Sequence, residues 1–202
     1  MHRASLFGMA VCALIATGLI PARAASKAVI GPNQPYVTCL GGVFYARAIP
    51  DEEKGSKGTT TIYRVRRDQD EVVDRHAWYA SGGLHLGWSP IAGKISAMAL
   101  SRDTAKDPAE QVEFSFYIGT QHLTTYTTAD LAKMGGLIHP TGDTDRRGAA
   151  FRVTGCEQIP GTNEYVYRVV LETSAGEKTV DFDVLTGRPY DAKLAATRPA
   201  HD

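Results

Sequence analysis

Aromatic and histidine side chains are concentrated in one short part of the sequence. The runs His76–Tyr79 and Leu84–Trp88 contain both tryptophans of the chain and flank the glycine-rich connection Ser81-Gly82-Gly83. A Trp or Tyr ring offers a large apolar face with one polar group, which suits a peptide, a glycan or a small apolar ligand. Most aromatic side chains must fill the core, but this part of the chain is where we predict a binding face. The predicted ligand-binding residues are Trp78, Tyr79, His85 and Trp88.

A hydrolytic site is the alternative hypothesis. A nucleophilic serine needs a base beside it and a sharp turn that exposes it, and the motif G-x-S-x-G is absent. Ser81 and Ser89 lie in turns, with His76, His85 and Asp74 nearby in sequence. Turn geometry alone explains the Gly and Pro residues there. A small secreted hydrolase would therefore have to assemble its residues from separate loops.

The remaining histidines and carboxylates form no recognisable metal or glycosidase motif. Asp143-Thr144-Asp145 lacks the closing Glu of a calcium loop. Asp181 and Asp183 alternate along one strand and cannot lie on opposite sides of a sugar ring, so we interpret them as the solvent face of that strand. We expect no metal site and no cofactor, because the separations of the histidines match no zinc motif. These histidines are His76, His85, His122 and His139.

Alternation of apolar and polar residues predicts a mainly β protein. The segments Val112–Ile118, Tyr165–Leu171 and Val180–Val184 alternate with period two, and Val112 is expected on the same face as the apolar residues that follow it. About ten such segments are separated by short turn signals, which favours an antiparallel β-sandwich or barrel. One short helix is predicted at Ala129–Met134, capped by Thr127 or Thr128 and ended by Gly135-Gly136.

The first 24 residues have the pattern of a secretory signal peptide. A charged start is followed by an apolar run from Leu6 to Ile20 and by Ala22-Arg23-Ala24, an A-x-A cleavage site. The apolar run is shorter than the roughly 20 residues that span a bilayer, which argues against a membrane anchor. We therefore predict residues 1–24 as signal peptide, residues 25–202 as a single mainly β domain, no membrane span after cleavage, and a periplasmic or secreted location.

Two cysteines remain after the predicted cleavage, Cys39 and Cys156. In an oxidising compartment two cysteines most often pair, and a bridge that closes so long a loop would stabilise the fold by at most about 4 to 5 kcal/mol. The alternative is two unlinked buried thiols. We predict a disulfide between Cys39 and Cys156.

Composition excludes some classes of function but does not identify a ligand. The 22 basic and 22 acidic residues balance, and removal of Arg3 and Arg23 would leave a charge of −2, so nothing favours nucleic acid. The expected function is that of an exported, non-catalytic binding protein of the cell envelope or exterior. Its partner would be a protein, an envelope polymer, or a small apolar or glycan ligand.

Overall fold

The fold is mainly antiparallel β-sheet with very short helices, which confirms the predicted mainly β class and, of the predicted sandwich or barrel with one short helix, is consistent with the sandwich. The computed structural model describes residues 32–103, 105–139, 148–195 and 197. Over these ranges the strands form two four-stranded sheets, one three-stranded sheet and one two-stranded ribbon. Every strand pair is antiparallel, and strands that pair are neighbours in sequence.

The first sheet runs β1-β2-β3-β4 and the second β5-β6-β7-β8. Their strands are β1 (Tyr36–Leu40), β2 (Phe44–Pro50), β3 (Gly58–Arg64), β4 (Glu71–His76), β5 (Gly83–Ser89), β6 (Lys94–Leu100), β7 (Val112–Ile118) and β8 (Gln121–Thr127). The ribbon pairs β9 (Ile138–His139) with β10 (Gly148–Ala149), and the third sheet is β11 (Phe151–Gln158), β12 (Tyr165–Thr173) and β13 (Gly176–Asp183). The helices are α1 (Thr128–Lys133), α2 (Ala192–Ala195) and a 3-10 turn at Pro108–Glu110.

The second sheet is the middle layer of the molecule, because its two faces pack against different partners. Along β6, Ala97 and Ala99 face the first sheet, whereas Met98 between them faces the third. Successive side chains of a strand point to opposite faces, so a strand with both faces covered is apolar throughout. This explains why Ile95–Ala99 of β6 are all buried and are all apolar except Ser96, whose hydroxyl has a buried hydrogen-bond partner.

Large rings fill the space between the middle and third sheets, which we call the aromatic interface. Phe114 and Phe116 of β7 meet Phe182 of β13 at centroid distances of 5.6 and 5.5 Å. Tyr167 of β12 is fully buried, and its hydroxyl is hydrogen-bonded to Ser96 Oγ at 2.8 Å. Edge-to-face and tilted ring pairs of this kind stabilise the fold beyond the contribution of the apolar area that each ring buries.

Alanines supply four of the nine buried residues at the contact between the first and middle sheets, which we call the alanine interface. Its buried residues are Phe44, Ala46, Ile62, Ala80, Leu84, Leu86, Ile95, Ala97 and Ala99. Trp78, Trp88 and Tyr117 are partly buried and pack against this core. These three rings therefore lie at its margins.

Helix α1 spans Thr128–Lys133, one residue earlier at each end than the predicted Ala129–Met134. Thr127 is its N-cap, and a capping box joins Thr127 and Asp130 in both directions. Gly136 N–H donates to the Leu131 carbonyl at 2.9 Å and closes the last turn. The buried carboxylate of Glu113 accepts from Thr128 Oγ at 2.6 Å and from Ala149 N–H at 2.8 Å, which fixes α1 and β10 to β7.

The predicted disulfide is not formed, and the prediction is corrected here: Cys39 and Cys156 are both unpaired. Alternation along β1 points Cys39 to solvent, on the face opposite Tyr36 and Leu40, which contact the alanine interface. Cys156 instead packs against the aromatic interface, and burial raises the pKa of its thiol to about 11. One side chain faces water and the other faces a core, so the two sulfurs do not meet.

The predicted signal peptide, residues 1–24, lies outside the described residues. Within the described ranges, none of the helices has the length and apolar character needed to cross a bilayer.

Candidate functional site

Trp78 and Tyr79 line a cavity of about 300 Å³ at one margin of the alanine interface. We call it the Trp78 cavity. Both residues belong to the connection from β4 to β5, where the chain passes from the first sheet to the middle sheet. A volume near 300 Å³ is at the lower end for small-molecule sites, so the cavity suits a small ligand.

Two rings, Trp78 and Tyr117, form the aromatic wall of the cavity, which we call the aromatic corner. Trp78 and Tyr117 of β7 lie 4.8 Å apart between centroids, with their planes inclined by 32°. His76 packs behind them, 4.6 Å from the Trp78 ring and 5.6 Å from the Tyr117 ring. Burial raises the pKa of the Tyr117 hydroxyl, which therefore stays neutral.

The polar part of the wall comes from serine hydroxyls and carboxylates of three segments, namely the chain before β3, strand β7, and the connection between β6 and β7. Ser56 precedes β3, Ser115 belongs to β7, and Ser101 and Asp103 follow β6. Glu110 ends the 3-10 turn, which Asp107 caps by accepting from Ala109 N–H at 2.9 Å. The described lining residues are Ser56, Trp78, Tyr79, Ala80, Ala99, Leu100, Ser101, Asp103, Ala105, Glu110, Val112, Ser115 and Tyr117.

Tyr79 is fixed at both ends of its side chain. Its N–H donates to the Ser56 carbonyl at 2.8 Å, and its hydroxyl donates to the Gln34 carbonyl at 2.8 Å. Gly58 has φ +153°, and a Cβ there would collide with the Ile49 carbonyl oxygen and lie 2.8 Å from Tyr79 Cβ. Only a glycine lets β3 approach Tyr79 this closely.

A second cavity of about 370 Å³ lies on the other side of Tyr79. Its lining includes Tyr36, Ser81 and Arg102, and it is more polar than the Trp78 cavity. Tyr79 lines both spaces and is nevertheless only 4% exposed.

Trp88 lies in a different cavity, of about 260 Å³, at another margin of the alanine interface. Its ring stacks on Phe44 with centroids 5.6 Å apart. The charged residues of this lining are Arg64, Lys94 and Asp74. The two tryptophans that are close in sequence are thus separated into cavities of different charge.

His85 is on the opposite face of β5 from both tryptophans' cavities. Leu84 and Leu86 beside it face the alanine interface, so alternation directs His85 toward the third sheet, in register with Met98. Its half-buried position lowers the pKa of its imidazole. The four predicted binding residues therefore do not form one surface; Trp78 and Tyr79 lie together, and Trp88 and His85 lie elsewhere.

The residues considered for hydrolysis are engaged in structural hydrogen bonds. Ser81 Oγ accepts from Arg102 N–H at 2.7 Å and donates to Asp103 Oδ1 at 3.3 Å. Ser89 Oγ is buried and accepts from Ala92 N–H at 3.1 Å. Across the described part of the chain, neither serine is hydrogen-bonded to a histidine.

The carboxylates of β13 have separate structural roles. Asp181 forms a two-point ion pair with Arg168. Asp183 is only 2% exposed and accepts from the Leu185 and Thr186 N–H groups, which shapes the turn after β13. The interpretation of both as a solvent face is wrong for Asp183, because the strand ends in a turn that this carboxylate caps.

No cluster of three or more His, Cys, Asp or Glu side chains that could hold a metal ion occurs among the residues the structure describes. His122 contacts Tyr117, with ring centroids 5.2 Å apart, and is hydrogen-bonded to Thr125 Oγ. The loop Asp143–Asp145 and the side chain of His139 lie outside the described residues.

Sequence reasoning missed Asp103, Glu110 and Val112 as lining residues. Val112 was expected to share a face with Phe114, but the pairing register of β7 with β8 shifts between these two residues, and Val112 lines the cavity with Ser115 and Tyr117. Asp103 and Glu110 lie in a segment with loop composition, where no periodic pattern gives the direction of a side chain. The only feature of the sequence that could have pointed to these two carboxylates was the presence of charged residues in the loop that joins β6 to β7.

Comparison of the chain with protein-family models, curated proteins and solved structures finds no match.

Proposed function

We propose that this chain is an exported, non-catalytic binding protein that holds a small ligand in the Trp78 cavity. The observation that carries the proposal is the composition of this one space, in which an aromatic corner, three serine hydroxyls and two carboxylates converge. Small-molecule sites combine apolar walls with a few polar groups in the same way.

The arrangement supports binding better than catalysis. Burial and backbone hydrogen bonds occupy the serines considered as nucleophiles, and His76 contacts the Trp78 ring without lining the cavity. A general base must come within hydrogen-bond reach of the proton that it removes. Export is inferred from the pattern of residues 1–24, and it would place the ligand in the periplasm or outside the cell.

Calorimetric titration of the mature protein tests this function with defined probes, namely choline, 3,3-dimethyl-1-butanol, glucose and tyramine. We expect at least one probe to bind and its affinity to fall at least about tenfold in Trp78→Ala, since burial of an aromatic face contributes more than 1 kcal/mol.

Trp88→Ala is the matched control, because it removes the same side chain from the other cavity. The affinity of Trp88→Ala for the probe that binds should equal that of the wild type. The proposal fails if no probe binds, or if the two tryptophan variants lose affinity equally.

A further inference from the structure

The charged groups of the Trp78 cavity are all of one sign. Asp103 and Glu110 are carboxylates, and no Lys, Arg or His occurs among the described residues that line this space. Arg102 is the neighbouring base in the chain, but it lines the second cavity, beyond Tyr79. A ligand in the Trp78 cavity therefore meets a negative electrostatic field.

Neither carboxylate is neutralised by the protein. Within the described ranges, no ion pair includes Asp103 or Glu110. Asp103 is nevertheless held in place, because its Oδ1 accepts from Ser81 Oγ and its N–H donates to Ser101 Oγ at 3.0 Å. A carboxylate that is positioned by neutral hydroxyl groups keeps its charge available for a ligand.

The aromatic corner adds a second preference for positive charge. The face of a Trp or Tyr ring carries negative quadrupole charge and attracts a cation within about 6 Å of the ring centroid. Trp78 and Tyr117 pack against each other with their planes inclined by 32° at 4.8 Å, so a ligand reaches only the ring surface that this contact leaves open to the cavity. That open aromatic surface favours a compact cation with an apolar body.

Resting on the proposed function, we propose that the ligand of the Trp78 cavity is a small organic cation, an amine or quaternary ammonium compound with an apolar body. Its charged group lies against Trp78 and Tyr117 and near the carboxylates of Asp103 and Glu110. The serine hydroxyls at positions 56, 101 and 115 already form hydrogen bonds with Ser81, Asp103 N–H and Thr125. A hydroxyl has one donor and two acceptor positions, so each can form a further hydrogen bond to a polar substituent of the same molecule.

The cavity at Trp88 provides an internal comparison. It also presents a tryptophan, but Arg64 and Lys94 line it together with a single acid, Asp74. A cation is disfavoured there because two fixed positive charges repel it. The preference for a cation therefore belongs to the Trp78 cavity and does not follow from a tryptophan alone.

Choline and 3,3-dimethyl-1-butanol distinguish charge from shape, because the alcohol replaces the nitrogen of choline with carbon and is neutral. In calorimetric titration of the mature wild-type protein, we expect choline to bind at least about tenfold more tightly than the alcohol, as cation–π and carboxylate interactions predict. Glu110 is exposed, so Glu110→Gln should weaken choline binding by only about 1.5- to fivefold and leave the affinity for the alcohol unchanged.

Glu172→Gln is the matched control, since it removes the same charge from an exposed position on β12 and should leave choline binding unchanged. Equal affinities for choline and the alcohol, or tighter binding of glucose than of choline, would overturn the cation assignment while the proposed function stands. If no probe binds, or if choline binding survives Trp78→Ala, both proposals fail.

Discussion

The two faces of the middle sheet are packed in different ways. The aromatic interface is filled by interlocking rings, and Phe114, Phe116 and Phe182 are at most 1% exposed. At the alanine interface most of the rings are only partly buried, and Ala46, Ala97 and Ala99 supply small side chains beside them. Cavities occur where these marginal rings stand beside small residues. The first face thus serves mainly stability, whereas the second can serve binding.

The largest effect is expected from truncation in the aromatic interface. Phe114→Ala should lower the free energy of unfolding by about 3–5 kcal/mol, because the ring is fully buried and contacts several others. Denaturant unfolding followed by circular dichroism measures the change. A loss below about 1 kcal/mol would contradict the described packing, since it would mean that the space collapses without cost.

Two neighbouring alanines of β6 should respond differently to enlargement. Ala97→Leu should destabilise the protein by about 1–3 kcal/mol, because Ala97 is 1% exposed and lines none of the cavities described above. Ala99→Leu projects into the Trp78 cavity, so we expect a cost below about 1 kcal/mol and loss of probe binding. Unfolding curves and calorimetry of both variants test this, and equal destabilisation would argue against an open cavity at Ala99.

Acid should weaken the alanine interface first. His76 is 5% exposed, its Nε2 has no hydrogen-bond partner among the described residues, and burial lowers the pKa of its imidazole from 6.5 to about 4. As the pH falls through this interval, the unfolded chain binds the proton before the folded chain does, so stability present above pH 6.5 is lost toward pH 4. We expect a loss of about 1–2 kcal/mol.

His76→Gln removes this titration without adding a charge. Its stability should change less between pH 7 and pH 4 than that of the wild type, as measured by thermal unfolding at each pH. Parallel pH profiles for the two proteins would mean that His76 is not the titrating group.

The smallest effect is expected at the cysteines. Cys39→Ser should change stability by less than about 0.5 kcal/mol, with or without reductant, because this side chain is exposed and unpaired. A thiol reagent at neutral pH should titrate one cysteine in the native mature protein and two after denaturation. Absence of a reactive thiol in the native protein would restore the disulfide.

Local patterns in the sequence predicted the strands and helix α1. Period-two alternation identified β7, β12 and β13, and the cap at Thr127 with the glycines after Met134 bounded the helix. These features depend on residues a few positions apart, so one sequence contains the necessary information. That Trp78 and Tyr79 line the same space was predictable for the same reason, because the two residues are adjacent in the chain.

The composition of the cavity depends on contacts between distant segments. Tyr117 comes from β7, Glu110 from the 3-10 turn and Ser56 from the segment before β3, and no spacing in the chain links them to Trp78. Alternation alone indicates that the side chain of His85 points to the opposite face of β5 from its neighbours in the chain. It does not indicate which sheet packs against each face. The register shift in β7 that brings Val112 to the cavity is set by pairing with β8.

The sequence by itself determined the antiparallel strands, their turns and the helix caps, because backbone geometry and alternation act over short distances. Only the tertiary structure decided that the middle sheet has two covered faces, that Trp78 and Trp88 lie in separate cavities, and that Cys39 faces solvent. The physical reason is that burial on a given face depends on which sheet packs against it, and that packing is a property of the whole chain.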